Sequence, residues 1–151
     1  MAIPPRLAEA IDALDMADDR TARVQMLIDI ARRYREVPPT IATRPFDEHH
    51  HVKGCESDAY VWAVPRGDGT LDLHFAVDNP QGVTARALVV LLGDALSGRP
   101  AEDAAALDAE IVHEIFGREL SIGKTMGLMG IVSMVQSFAR KAVTSTPSLV
   151  P

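Results

Sequence analysis

The spacing of apolar residues changes twice along the chain, and each change marks a change of element. Leu7, Ile11 and Leu14 recur at the three- and four-residue steps of one helical face. Pro4 and Pro5 suit the first turn of that helix, where a missing N–H is not needed. A second stripe, Val24, Leu27, Ile28, Ile30 and Ala31, follows Asp18 or Asp19 as N-cap, and Pro38-Pro39 is read as its end. Residues 38–56 have no period and contain Pro45 and the polar run Asp47-Glu48-His49-His50-His51. A loop of this length inside a compact domain is usually functional.

The period then becomes two. Tyr60, Trp62 and Val64 alternate with Ala59, Val61 and Ala63, and Leu71, Leu73, Phe75 and Val77 alternate with Asp72, His74, Ala76 and Asp78. Arg66-Gly67-Asp68-Gly69 between them is a turn, so the two runs form an antiparallel hairpin, ended by Asp78-Asn79-Pro80-Gln81-Gly82. Helical spacing returns at Val83. One helix is expected over residues 83–96 with Thr84 as its cap, broken by Ser97-Gly98-Arg99-Pro100. Shorter helices follow over 101–108 and 108–116, the latter stopped by Gly117, and the last helix covers about 124–142. Residues 144–151 read as a frayed tail.

Helices and strands are segregated, which defines an α+β domain rather than a wound parallel sheet. A lone hairpin is marginal in water, so a third strand is expected, with residues 49–53 as the candidate. The 151 residues form one domain, 47% hydrophobic and able to bury a core without staples.

Charge and cysteine content narrow the function. Fifteen basic against 21 acidic residues give a net charge of −6, which argues against a generic nucleic-acid surface and is compatible with docking to a basic protein. A single cysteine excludes an intramolecular disulfide and suits a reducing cytosol. The opening MAIPPRLAEAIDALD is acidic and lacks an apolar run, so it does not read as a signal peptide. No stretch approaches the roughly 18 apolar residues of a membrane span. A cytoplasmic protein is expected.

That cysteine, Cys55, is the first candidate for chemistry. A lone cysteine is more often a buried small hydrophobe than a nucleophile. Here its flanks are Lys53 and Glu56, and Gly54 permits a positive φ beside the sulfur. An ordinary thiol with pKa near 8.5 is only about 3% thiolate at pH 7. Positive charge from Lys53 or from a neighbouring histidine, His50 or His51, would raise the reactive fraction.

The histidine run is weak as a metal site. Alternate residues of an extended segment face opposite ways, so only His49 and His51 converge, with Cys55 and Asp47 or Glu48 as conceivable further ligands. No second cluster with zinc spacing accompanies them, and no resident metal is expected. His74 and His113 read as surface or structural residues, and Met126, Met129 and Met134 as core. Lys124 follows Gly123 near a helix start, where a cation is unfavourable for the dipole, which makes it a functional candidate. No phosphate loop, dinucleotide fingerprint, HExxH or nucleophile elbow is present.

The string Val52-Lys53-Gly54-Cys55-Glu56-Ser57-Asp58-Ala59-Tyr60-Val61 resembles the SufE family pattern V-x-G-C-Q-S-x-V-W-[IVL], and Leu120-Ser121-Ile122-Gly123-Lys124-Thr125-Met126-Gly127-Leu128 resembles the family segment L-[ST]-P-S-R-x-x-G-[LF]. The element order agrees over about residues 5–142. The sequence departs from the patterns with Glu56 for Gln, Tyr60 for Trp, Ile122-Gly123 for Pro-Ser, and Lys124 for Arg; an expected Asn falls on His50.

The resemblance implies a SufE/IscU-like fold with about three antiparallel strands against several helices. It implies that Cys55 accepts persulfide sulfur from a SufS-type cysteine desulfurase, stimulates that enzyme, and relays the sulfur to a SufBCD-type scaffold for iron–sulfur cluster assembly. Gly54, Lys53, His50, His51, Ser57 and Lys124 are the supporting candidates. The chain would work with the desulfurase rather than as a stand-alone enzyme, with no cofactor of its own, as a monomer or homodimer. Three other readings stay open: a metal-binding scaffold, a Cys–His thiol enzyme, and a desulfurase-docking regulator that carries no sulfur.

Overall fold

The computed structural model describes residues 3–55 and 57–145. Among them are six helices and three antiparallel strands: α1 Pro5–Asp15, α2 Arg20–Ala31, β1 Ala59–Pro65, β2 Thr70–Val77, α3 Val83–Leu96, β3 Arg99–Pro100, α4 Ala101–Ala105, α5 Ile111–Phe116 and α6 Ile122–Ser145. The sheet order is β1-β2-β3, and among the described residues no helix is long and apolar enough to cross a membrane. The α+β expectation holds.

The hairpin register pairs Ala59 with Val77, Val61 with Phe75 and Ala63 with Leu73 on one face. That face joins the main core, where α3 buries Ala85, Leu88, Val89, Leu92, Ala95 and Leu96 and α6 buries Leu128, Ile131, Val132, Val135 and Ala139. A helix apolar on nearly every side, as α3 is, must lie inside the domain. Leu7, Ile11 and Leu14 of α1 and Leu27 and Ala31 of α2 close the core from the other side, as their spacing requires. Asp19 caps α2 by accepting the Ala22 N–H at 2.8 Å.

The opposite face of the hairpin, carrying Tyr60, Trp62 and Ala76, is roofed by the long loop. Val37, Ala42 and Phe46 pack there in a second small cluster. Two hydrogen bonds moor the roof to β2: the Val37 N–H donates to the Phe75 carbonyl and the Val77 N–H donates to the Tyr34 hydroxyl, each at 2.8 Å. The long loop is therefore half structural.

Several expectations need correction. The third strand is not 49–53: residues Glu48–His50 form a single helical turn, which leaves His51 only an isolated bridge to Tyr60. The third strand is Arg99-Pro100, within the segment read as a breaker, paired with Leu71 and Thr70 at the sheet edge. Such a short edge tolerates proline because its missing donor faces no ladder partner. Helix α2 stops at Ala31 rather than at Pro38, because Tyr34 and Val37 are held by β2. Gly82, not Thr84, occupies the cap of α3. The two short helices end and begin at Ala105 and Ile111, which leaves a wider gap between them than their sequence suggested. Val24, counted in the α2 stripe, is 46% exposed, and Met126, read as core, is 66% exposed; Met129 and Met134 do pack on the core. Helix α6 starts at Ile122 and includes Thr144 and Ser145, and the rest of the expected tail lies outside the described residues.

Candidate functional site

The segment carrying Cys55 is a loop closed at its base by backbone. The Val52 N–H donates to the Ala59 carbonyl at 2.8 Å, and the Asp58 N–H donates to the Cys55 carbonyl at 3.1 Å. Beyond the end of β2 the Asp78 N–H donates to the Asp58 carbonyl and the Asn79 N–H to the Ser57 carbonyl, both at 3.1 Å, which extends the hairpin ladder toward the cysteine. Gly54 turns the chain just before Cys55 with φ +76°, a conformation that glycine adopts without strain. Its open surroundings show that the glycine serves the turn and not close packing.

The other side of the loop rests on α6, where two glycines allow close approach. Buried Val52 lies against Gly130: a Cβ there would come 3.1 Å from Val52 Cγ1. One turn earlier, a Cβ on Gly127 would sit 3.3 Å from Cys55 Cα and 3.5 Å from Cys55 Sγ. Cys55 is partly buried in this seat. It opens on a cleft of about 220 Å³ whose lining includes Ser57, Asn79, Gln81, Thr84, Lys124 and Gly127.

Two helix N-termini meet at this cleft. Gly82, Val83 and Thr84 begin α3, and Gly123 and Lys124 lie in the first turn of α6. Ser121 caps α6, accepting the Lys124 N–H on its hydroxyl at 3.2 Å and the Thr125 N–H on its carbonyl at 3.0 Å. The first-turn N–H groups and the aligned peptide dipoles make both ends favourable for an anion, and the Lys124 ammonium adds a full charge. A thiolate or persulfide anion is stabilised in such a setting.

Of the supporting candidates, the structure brings Ser57 and Lys124 into the cleft with Cys55, and Gly54 into the turn beside it. Ser57 also packs on the α3 cap, since a Cβ on Gly82 would fall 2.8 Å from its hydroxyl oxygen. Lys53, His50 and His51 are not in the lining of this cleft. His50 is built into the roof: its Nδ1 meets the Val61 carbonyl at 2.8 Å and its ring stacks on Trp62, with centroids 5.1 Å apart. Lys53, His49 and His51 line a separate cleft beside Gly130, Ser133 and Met134.

His51 bridges two carboxylates, with Nδ1 2.9 Å from Glu48 Oε1 and Nε2 3.2 Å from Asp58 Oδ1. Burial opposes its protonation, but the hydrogen bonds to Glu48 and Asp58 and their charges outweigh it and raise its pKa above the ordinary histidine value. Of the three consecutive histidines, His50 thus goes to the roof, while His49 and His51 share the second cleft. Among the described residues no group of three or more His, Cys, Asp or Glu side chains is arranged to hold a metal.

Sequence reasoning missed Asn79, Gln81, Thr84 and Gly127. The first two stood in a string read only as a turn. Gly127 was part of the Leu120-to-Leu128 segment, yet nothing in spacing alone assigns it to the cysteine.

An α+β domain with one cysteine seated between two helix N-termini is the class that fold and site define. The family model of SufE, described as an Fe-S metabolism associated domain, matches residues 8–139. The chain belongs to the SufE family. Among solved structures it is similar to the solution structure of a hypothetical protein from Thermus thermophilus. That likeness has 25% sequence identity and a TM-score of 0.76, and covers 95% of this chain and 100% of the other. Among curated proteins the sequence finds no match. Membership of the family ties the chain to iron–sulfur metabolism.

Proposed function

We propose that the protein accepts persulfide sulfur on Cys55 from a cysteine desulfurase and relays it for iron–sulfur cluster assembly. The observation that carries this reading is the seating of the chain's single cysteine, on a turn, against Gly127 and in a cleft headed by the first turns of α3 and α6. The Cys55 thiolate attacks the terminal sulfur of the donor persulfide. A new S–S bond forms on Cys55, the donor's S–S bond breaks, and the donor cysteine leaves as a thiolate, with no net oxidation or reduction. Lys124 and the two helix N-termini stabilise negative charge on attacker and product. With no second cysteine in the chain, the new persulfide cannot be resolved internally as a disulfide.

Exposed apolar residues in the segments that form the cleft support docking to a partner. Val83, which lines the cleft, is 38% exposed, and Ile122 and Met126, chain neighbours of the lining residues Gly123 and Gly127, are 79% and 66% exposed. Large apolar side chains left in water mark an interaction surface. The partner we assign is a SufS-type desulfurase, which supplies the pyridoxal phosphate chemistry; a SufBCD-type scaffold is the downstream acceptor. Stimulation of the desulfurase follows if Cys55 clears its persulfide faster than small thiols do.

The test is to incubate the protein with a desulfurase and sulfur-labelled cysteine, then follow label on the chain and alanine release. Label on the wild type, its absence on Cys55→Ser, and stimulation lost with it support the relay. Stimulation retained by Cys55→Ser without label would replace the relay by a docking regulator.

A further inference from the structure

A side-chain fastening of the cysteine loop, between His51 and Asp58, has a chemistry that depends on a proton. His51 precedes the loop and Asp58 ends it, so their contact at 3.2 Å joins the two limbs across the segment that carries Cys55. The second ring nitrogen is held by Glu48 at 2.9 Å, in the helical turn before the loop. An ionised carboxylate accepts hydrogen bonds and donates none, so only the imidazolium, with an N–H on each nitrogen, satisfies both partners. A neutral ring keeps one of the two bonds and points a lone pair at the other carboxylate. Asp58 is meanwhile in the left-handed region, φ 50°, the only residue other than glycine among those described to be so. Asp tolerates this better than most residues, and its neighbours must hold it there.

We propose that His51 is a positioning residue for Cys55: the Glu48–His51–Asp58 triad latches the cysteine loop against α6, and loss of the His51 proton loosens it. The inference rests on the sulfur-acceptor reading, since it concerns how readily Cys55 leaves its seat to meet a partner.

The groups around His51 are few. Glu48 and Asp58 supply the two negative charges, and the Tyr60 ring of β1 packs at 4.8 Å. Lys53 and His49 share its cleft, and α6 contributes Gly130, Ser133 and Met134 with no charge. The raised pKa of His51 fits this balance, with burial opposing the proton and the two carboxylates winning it. The latch is therefore fully closed below the ordinary histidine value near 6.5 and opens as pH rises through the raised folded value. Both carboxylates are well exposed, at 78% and 63%, so the effect is of modest size.

The experiment measures alkylation of Cys55 by iodoacetamide from about pH 5.5 to about pH 9, spanning the imidazole titration. Each rate is divided by the thiolate fraction taken from ultraviolet absorbance. The wild-type rate per thiolate is expected to rise about two- to fivefold across the range, the size that solvent-exposed ion pairs allow. His51→Phe, which keeps a ring against Tyr60, should be flat at the open level. Asp58→Asn should be flat at the closed level, because an amide can donate to neutral Nε2 and accept from the protonated ring. A flat wild-type profile, a step that survives in His51→Phe, or an Asp58→Asn profile that follows wild type each overturns the proposal. Alkylation needs no desulfurase, so these outcomes are separate from whether Cys55 accepts sulfur.

Discussion

The sulfur of Cys55 lies against Gly127 of α6, so closely that a methyl group on that glycine would be 3.5 Å from Sγ and 3.3 Å from Cα. The glycine is the floor on which the reactive residue rests, and its lack of a side chain sets how deep the cysteine sits.

Gly127→Ala tests that floor. Alanine in a helix interior gains about 1 kcal/mol over glycine, while the contact with Cys55 Cα requires the loop to move by a few tenths of an ångström. The expected result is a stability in urea within about 1 kcal/mol of wild type, with faster alkylation of Cys55. Gly130→Ala is the comparison, since it presses on Val52 and not on the cysteine. Equal alkylation in both variants would contradict the assignment of the seat.

Gly82→Ala should be costlier. Its Cβ would meet the Ser57 hydroxyl oxygen at 2.8 Å and the Asn79 carbonyl at 3.1 Å, and the backbone oxygen cannot swing away. Overpacking of this kind costs about 1–3 kcal/mol. In a double-mutant cycle with Ser57→Gly, part of that loss should return, with a coupling of at least about 0.5 kcal/mol. Strict additivity would mean that the cap of α3 and the cysteine loop are not in contact.

Lys124→Ala removes the side-chain charge that lines the cleft from α6. We expect alkylation of Cys55 at neutral pH to slow by about two- to fivefold, with the deficit shrinking as salt is added, because exposed charges are screened within about 10 Å at about 0.1 M salt. Lys124→Arg should restore most of the rate. A deficit unchanged by salt would assign Lys124 a packing role instead.

How much was legible in the sequence depended on whether a position answers to its neighbours in the chain or to distant ones. The period-three-and-four stripe of α1 and the period-two runs of the hairpin are local signals, and they gave the right elements. The third strand was misplaced because β3 is two residues long and carries no periodicity. Helix α2 was read too long because Tyr34 and Val37 end it through bonds to β2 that no local pattern announces. Met126 fits a helical stripe with Met129, yet only the packing of α6 decides which of them reaches the core. The cysteine and its turn glycine stood out by composition and motif. Its seat did not, because Gly127 and Gly82 meet the loop only after α3 and α6 have folded against the sheet. Three adjacent histidines looked like one feature, yet His50 packs on Trp62 while His49 and His51 line the cleft beside Gly130, a division set by the helical turn at Glu48–His50.

The most direct test of the account is the intact mass of the protein after mixing with a cysteine desulfurase and cysteine, for wild type and for Cys55→Ser. The account predicts a gain of one sulfur atom on the wild type alone, reversed by reductant. No gain on the wild type with a desulfurase from the same organism, or an equal gain on Cys55→Ser, would contradict it.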